Sequence, residues 1–269
     1  MKPRSNSEIK LLRRSGQINA LALKSALEYI DVGVSCFEID KLCEKIIKEN
    51  GGESSFKTVS GYEFTTCITI NEEVVHGIPS GRIIKNGDLI SVDVGTIFKG
   101  WHTDAAWSKL VGQESIPRLR SGQGVKSQEK KKFLSVGEEA LWEGIAQAVE
   151  GNRIGDISAA IQQKVEGGSY CVVRSLSGHG IGRALHEDPA IPGYGSKGTG
   201  LLLKKGMSLA IEVIYNMGKS DVLVGNDGWT ISSVDGSLAG LFEMTVIVGK
   251  KKAEVLTRLP NDIGLKKVL

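Results

Sequence analysis

The stretch Ser177-Gly178-His179-Gly180-Ile181-Gly182 sets one imidazole among three alternating glycines. Without Cβ atoms the chain can turn sharply there and pass close to another group. A second histidine follows in Leu185-His186-Glu187-Asp188-Pro189. Four acids elsewhere could converge on His179: Asp93 and Asp104 before it, Glu212 and Glu243 after it. Taken singly, an acid on a strand is most simply a surface residue. Three of these, however, interrupt apolar runs: Asp93 in Ile90–Gly95, Glu212 in Leu209–Ile214 and Glu243 in Leu241–Val246. Burying an ionised carboxylate is costly unless a cation or a hydrogen-bond network compensates it. Four carboxylates and one imidazole suit two hard-to-borderline divalent ions sharing bridging carboxylates. Such pairs sit roughly 3.5–4 Å apart and acidify water, which supplies hydroxide for hydrolysis.

Competing motifs fail. Gly178-His179-Gly180 begins like a dinucleotide fingerprint, but Arg183 holds the third glycine position and no βαβ pattern surrounds it. His186-Glu187 begins like a zincin helix, yet the residue four on is Ala190. Ser177 is not a nucleophile elbow, since Ser175 and His179 stand where that motif has its glycines.

The elements that must hold these residues can be read from periodicity. Residues 7–30 carry Ile9, Leu12, Leu23, Leu27 and Ile30 at near-helical spacing. Ser35 and Glu38 form a capping box ahead of a second helix, which Gly51-Gly52 ends. Cys67–Ile70 reads as a strand, Asn71–Glu73 as a turn, Leu89–Val94 as a strand and Trp101–Leu110 as its hairpin partner. Residues 113–132 are rich in Lys and Arg with glycines and serines between, which predicts a solvated connection. No aromatic residues interleave with those charges, which argues against a nucleic-acid contact. Helices are expected over Phe133–Val149 and Asp156–Val165, and strands over Leu209–Tyr215 and Leu241–Val248.

The chain also repeats itself. Lys85-Asn86-Gly87-Asp88-Leu89-Ile90-Ser91-Val92-Asp93 matches Lys204-Lys205-Gly206-Met207-Ser208-Leu209-Ala210-Ile211-Glu212, ending on a carboxylate at the same offset. A helix pair precedes each half, and a second strand with another acid (Asp104, Glu243) follows each. Two equivalent halves would bring four carboxylates to one central seam.

Composition fits this picture. The 269 residues are 41% hydrophobic and 24% charged, so a substantial core is available. A net charge of +3 spread along the chain excludes a dedicated nucleic-acid-binding domain. No apolar run follows the N-terminal residues, and no stretch approaches the ~18 apolar residues that span a bilayer. A cytoplasmic location with neither leader nor membrane anchor is expected. Cys36, Cys43, Cys67 and Cys171 form no CxxC pair and are expected to be buried thiols.

Together with Asn71–Pro79, Ser91–Gly95, His102-Thr103-Asp104 and Asp227-Gly228-Trp229-Thr230, the glycine-histidine stretch resembles the methionine aminopeptidases of the short bacterial type. The resemblance runs from about Ser7 to the end and is weakest over 113–132. It implies an α/β (α+β) pita-bread fold: two pseudo-symmetric halves whose central antiparallel sheet is covered by helices. Residues 1–269 would form a single catalytic domain. It further implies that Asp93, Asp104, His179, Glu212 and Glu243 bind two divalent metal ions (Co, Mn, Fe or Zn), with Asp104 and Glu243 bridging. By the same resemblance His76 contacts the substrate near the scissile peptide, His186 hydrogen-bonds its carbonyl oxygen, and Glu212 shuttles a proton to the leaving amine. Tyr62, Cys67, Leu185 and Trp229 align with the methionine side-chain pocket. The implied partner is the N-terminal methionine of nascent polypeptides ahead of a small second residue. A monomer is implied too, with a transient ribosome contact and neither a membrane nor a specific nucleic acid.

Four positions depart from the family pattern: Val213 where proline is usual, Leu185 where an aromatic is common, Met244 where histidine is common and Trp107 where arginine often stands. They put pocket shape and efficiency in question. An Xaa-Pro aminopeptidase or prolidase would share fold and ligands, but usually with an extra N-terminal domain, for which there is no room ahead of Asp93. A non-catalytic relative that only binds partners would be expected to have lost ligands, and all five are present.

Overall fold

A computed structural model describes residues 1–112 and 123–259. Two helices open the chain, α1 (Asn6–Tyr29) and α2 (Cys36–Glu49), followed by short β1 (Glu53–Ser54) and a single 3-10 turn at Phe56–Thr58. Then come β2 (Thr66–Ile70), β3 (Glu73–Val75) and the long hairpin β4 (Leu89–Phe98) and β5 (Trp101–Leu110). The second half repeats this plan with α3 (Gln123–Ala146), α4 (Ile154–Gly167), β6 (Cys171–Val172), β7 (Ser177–Gly180), β8 (Glu187–Pro192) and β9 (Ser208–Asn216). The chain continues through β10 (Val222–Val224), β11 (Ile231–Ser233), β12 (Ala239–Ile247) and β13 (Glu254–Val255).

Local chemistry explains the helix starts. At α2 the Glu38 amide donates to Ser35 Oγ and Glu38 Oε2 accepts from the Ser35 amide, the expected box. Ser5 and Glu8 build the same cap on α1. Helix α3 starts at Gln123, so the expected connection over 113–132 is corrected for its second part; residues 113–122 lie outside the described ones. The lysines hid the helix because Lys131 and Lys132 are exposed there, and Lys130 reaches back to donate to the Gly87 carbonyl at 2.6 Å. Lysine, glutamine and glutamate favour a helix without giving it an apolar stripe. The expected turn at Asn71–Glu73 is shorter, since Glu73 already belongs to β3.

Among the described residues, all strand pairs are antiparallel. Among the described residues the main sheet runs β1-β4-β5-β12-β9-β7-β8, with β2 beside β4, β6 beside β9 and β13 beside β12. A smaller sheet, β10-β11-β3, stands apart. One face of the main sheet (Val92, Val94, Ala105, Trp107, Ile211, Val213, Phe242, Met244) packs with Leu23, Ile39, Leu141, Ile157 and their neighbours on the four helices in one apolar core. Among the described residues, no helix is long and apolar enough to cross a membrane.

The repeat seen in the sequence is a structural one. Gly87 and Gly206 both take left-handed conformations, with φ of 87° and 90°. Asp88 donates to the Lys85 carbonyl and Met207 to the Lys204 carbonyl, each at 3.1 Å. Val111 and Val248 then close the two turns by donating to the Asp88 and Met207 carbonyls, each at 2.8 Å. The seam between the halves is the β5–β12 pair.

Candidate metal centre and substrate pocket

Strand register assembles the acids. Asp93 pairs with Ala106, Ala106 with Glu243 and Glu243 with Glu212, so four strands contribute one row across the sheet. Cross-strand partners share a face, and here it is the face without helices. Cys67 ends the row beside Asp93. Two residues along lies a second row. Asp104 pairs with Gly95, and Ala210 pairs with both Thr245 and His179. Thr245 closes that row: its Oγ1 accepts from the Asp104 amide and donates to the Asp104 carbonyl, each at 2.8 Å. Neighbours along such a face are roughly 7 Å apart and across it roughly 5 Å. Gly95 admits the Phe56 ring, since a Cβ there would lie 2.6 Å from it.

One ligand atom each from Asp104, His179 and Glu243 lie within 4.8 Å of one another. Asp93 and Glu212 flank this group from the Glu243 row. His179 Nδ1 is 2.9 Å from the Gly180 carbonyl, so as a donor it fixes the tautomer and leaves the Nε2 lone pair free. That Nε2 lies 3.9 Å from Glu243 Oε1. Burial, then the nearby His186, pushes the His179 pKa down to about 4, which keeps the ring neutral and ready to ligate. Burial and mutual repulsion push the acids the other way: Asp104 and Glu212 rise to about 8, and Asp93 and Glu243 rise strongly. Asp93 Oδ1 and Glu243 Oε1 are buried without any hydrogen-bond partner. Orphaned carboxylate oxygens, that of Glu243 beside a neutral imidazole, are what a divalent cation would satisfy, so the donor set fits a metal.

Beside the rows lies an apolar cluster, the candidate pocket. Tyr62, Cys67 and Leu185 are buried in one cluster with Phe56, Ile181 and Ala210, and Trp229 packs against it. The Tyr62 and Trp229 rings meet edge-on at 5.1 Å. Tyr62 Oη donates to the Thr66 carbonyl at 2.8 Å. Burial, then the Asp93 charge, holds the Cys67 thiol well above its usual value, so it is a neutral lining group and not a nucleophile. His186 and His76 are both exposed. The His186 ring stands 4.5 Å from that of His179, edge to face. His76 has φ of 58° and follows β3; a Cβ on the next residue, Gly77, would lie 2.1 Å from the Ile68 carbonyl oxygen.

A family model described as metallopeptidase family M24 matches residues 10–249. Methionine aminopeptidase 1 of Bacillus subtilis is 40% identical over 252 residues, 94% of this chain and 97% of that protein. The Escherichia coli K12 methionine aminopeptidase is 34% identical over 95% of this chain and 93% of its own. The crystal structure of the Thermotoga maritima methionine aminopeptidase superposes with a TM-score of 0.89 at 38% identity, covering 96% of this chain and 99% of that one. The chain belongs to the methionine aminopeptidases of family M24. It is thus a metallopeptidase, a hydrolase, with the pita-bread fold. A Pyrococcus furiosus prolidase has a TM-score of 0.71 at 20% identity, which shows a shared fold; this chain covers 66% of it.

The placement of side chains separates the four departures from the family pattern. Trp107, Val213 and Met244 lie on the helix-facing side, in the core, with Trp107 against Phe242 at 4.9 Å. Val213 and Met244 each follow an acid and Trp107 follows Ala106 of the same row, so alternation along the strands puts all three on the face opposite the acids, away from the Tyr62–Cys67–Leu185 cluster. Leu185, the fourth departure, lies in that cluster. Sequence reading gave no role to two residues that hold the site from behind, Asp40 and the motif residue Asp227. Asp40 on α2 accepts from the Thr65 and Thr66 amides, each at 2.9 Å, bracing the segment between Tyr62 and Cys67. Asp227 accepts from the Trp229 and Thr230 amides at 2.9 and 2.8 Å. The Asp-Gly dipeptide of that second motif was the available signal; Asp40 gave none.

Proposed function

We propose that this protein removes N-terminal methionine from nascent polypeptides and peptides in the cytoplasm, when the second residue is small. Residues 1–269 are read as one catalytic domain acting as a monomer. The observation that carries the reading is the adjacency of the two donor rows and the pocket: Cys67 pairs with Asp93, and Ala210 both lines the pocket and pairs with His179.

Asp93, Asp104, His179, Glu212 and Glu243 would hold two divalent ions. When bound, those ions supply Lewis acidity and a nucleophile at neutral pH. Tyr62, Cys67, Leu185 and Trp229 hold the methionine side chain, an apolar surface with one soft sulfur contact suited to a thioether. His186 donates to the scissile carbonyl oxygen and stabilises the charge that develops there. His76 contacts the substrate beside the scissile peptide. Glu212 passes a proton to the leaving amine. The preference for a small second residue rests on kinship with the named methionine aminopeptidases.

A peptide panel tests the reading. After reconstitution with divalent metal, Met-Ala-Ser should be cleaved after methionine and Ala-Pro-Ser left intact. Preferential cleavage of Ala-Pro-Ser would overturn it in favour of a prolidase-like enzyme.

A further inference from the structure

Glu187 closes the turn that carries Leu185 and His186. Its Oε1 accepts from the backbone amides of Arg183 at 2.6 Å and Ala184 at 3.2 Å. Its Oε2 takes the guanidinium of Arg4, from the segment ahead of α1. Arg4 spends its other donors on two further elements: Nη2 to the Ile181 carbonyl at 3.2 Å, just past β7, and Nε to Ser208 Oγ at 3.0 Å, at the start of β9. Ser208 Oγ itself donates to the Ile181 carbonyl. The Arg4 amide donates to the Gly206 carbonyl at 2.8 Å, which fixes the segment's course.

The site is built for this arginine. A Cβ on Gly182 would lie 2.3 Å from Arg4 Nη2, so that glycine admits the guanidinium. The fully buried Trp101 ring has Arg4 at 5.4 Å and Arg183 at 4.3 Å, which ties the same turn to the β4–β5 hairpin. The Arg4 and Glu187 side chains are 12% and 21% exposed. An exposed ion pair would contribute little; a shielded fork with three acceptors on three segments fixes geometry.

We propose that Arg4 is a positioning residue: through Glu187 it locks the 181–187 turn and thereby sets where His186 stands over the carboxylate rows. Arg4 touches no substrate. The inference rests on the reading of His186 as a substrate contact given above.

The test is a double-mutant cycle on the full chain, reconstituted with metal and assayed with Met-Ala-Ser. Arg4→Met should lower kcat by roughly tenfold or more, because small displacements of a reacting group are expensive. Metal content should not change. Arg4→Lys, which keeps the charge but not the fork, should recover part of the loss. In a His186→Ala background Arg4→Met should change kcat by less than about twofold, since the group it positions is already gone. Equal losses in both backgrounds would overturn the proposal and leave Arg4 a general structural anchor. Should Arg4→Met not fold, Glu187→Gln carries the same cycle: it keeps an oxygen for the Arg183 and Ala184 amides and loses the charge that holds Arg4. Normal kcat in these variants with His186→Ala impaired removes the anchor alone; normal kcat in His186→Ala removes the role of His186 and the anchor with it.

Discussion

His179 and His186 stand 4.5 Å apart and are assigned different work, which substitution can separate. His179 has a fixed tautomer and a free Nε2 beside Glu243, so His179→Ala should lose metal affinity and turnover together. His186 is exposed and belongs to a turn outside the rows. His186→Ala should keep its metal and lose roughly 10²–10³ in kcat, the usual scale for one oxyanion donor. Metal analysis beside steady-state kinetics reads both, and metal loss in His186→Ala would make it a ligand. Leu185 sets a finer property. Smaller than the common aromatic, it should leave the pocket slightly roomier, so norleucyl and leucyl substrates should be discriminated less strongly than usual; a methylene is worth only ~1–3 kcal/mol there, so the relaxation should be modest. Comparing kcat/KM for Met-, norleucyl- and leucyl-Ala-Ser in wild type and Leu185→Phe checks it, with the variant expected to prefer methionine more strongly.

At the scale of elements, the site depends on strand register and on a few places where backbones nearly touch. Gly77 is the sharpest, since any Cβ there meets the Ile68 carbonyl at 2.1 Å. Gly77→Ala should therefore cost about 1–3 kcal/mol of stability by overpacking. It should also shift His76, lowering kcat/KM at constant metal content; thermal unfolding and kinetics measure the two effects. The acids that break apolar runs, the Ser35–Glu38 cap and the repeat could all be read from local sequence, because local pattern decides them. The face on which Trp107, Val213 and Met244 point could not be judged from the departures alone, although strand alternation from the acids on the same strands would have given it. Helix α3 was missed at its charged start because the sequence there carries no apolar stripe. Asp40 and Arg4 were invisible for another reason: their partners lie 25 and 183 residues away, and only the fold brings them together.

At the scale of the whole molecule, two halves meet so that four carboxylates share one seam, an arrangement unfavourable without cations. Asp104 and Glu212 titrate near about 8 in the fold, against about 4 when unfolded. Between those values the folded protein holds protons that the unfolded chain releases, so stability falls as pH rises through that window. Metal-free protein should thus melt at a higher temperature near about pH 5 than near about pH 8, and metal binding at about pH 7 should release protons, which calorimetry in two buffers would detect. The central claim is that this seam is the catalytic metal centre, and titration of divalent ion into fully stripped protein while following Met-Ala-Ser hydrolysis tests it most directly. Turnover should be absent without metal and rise to a plateau near about two ions per chain; full turnover by protein verified to be metal-free would contradict it.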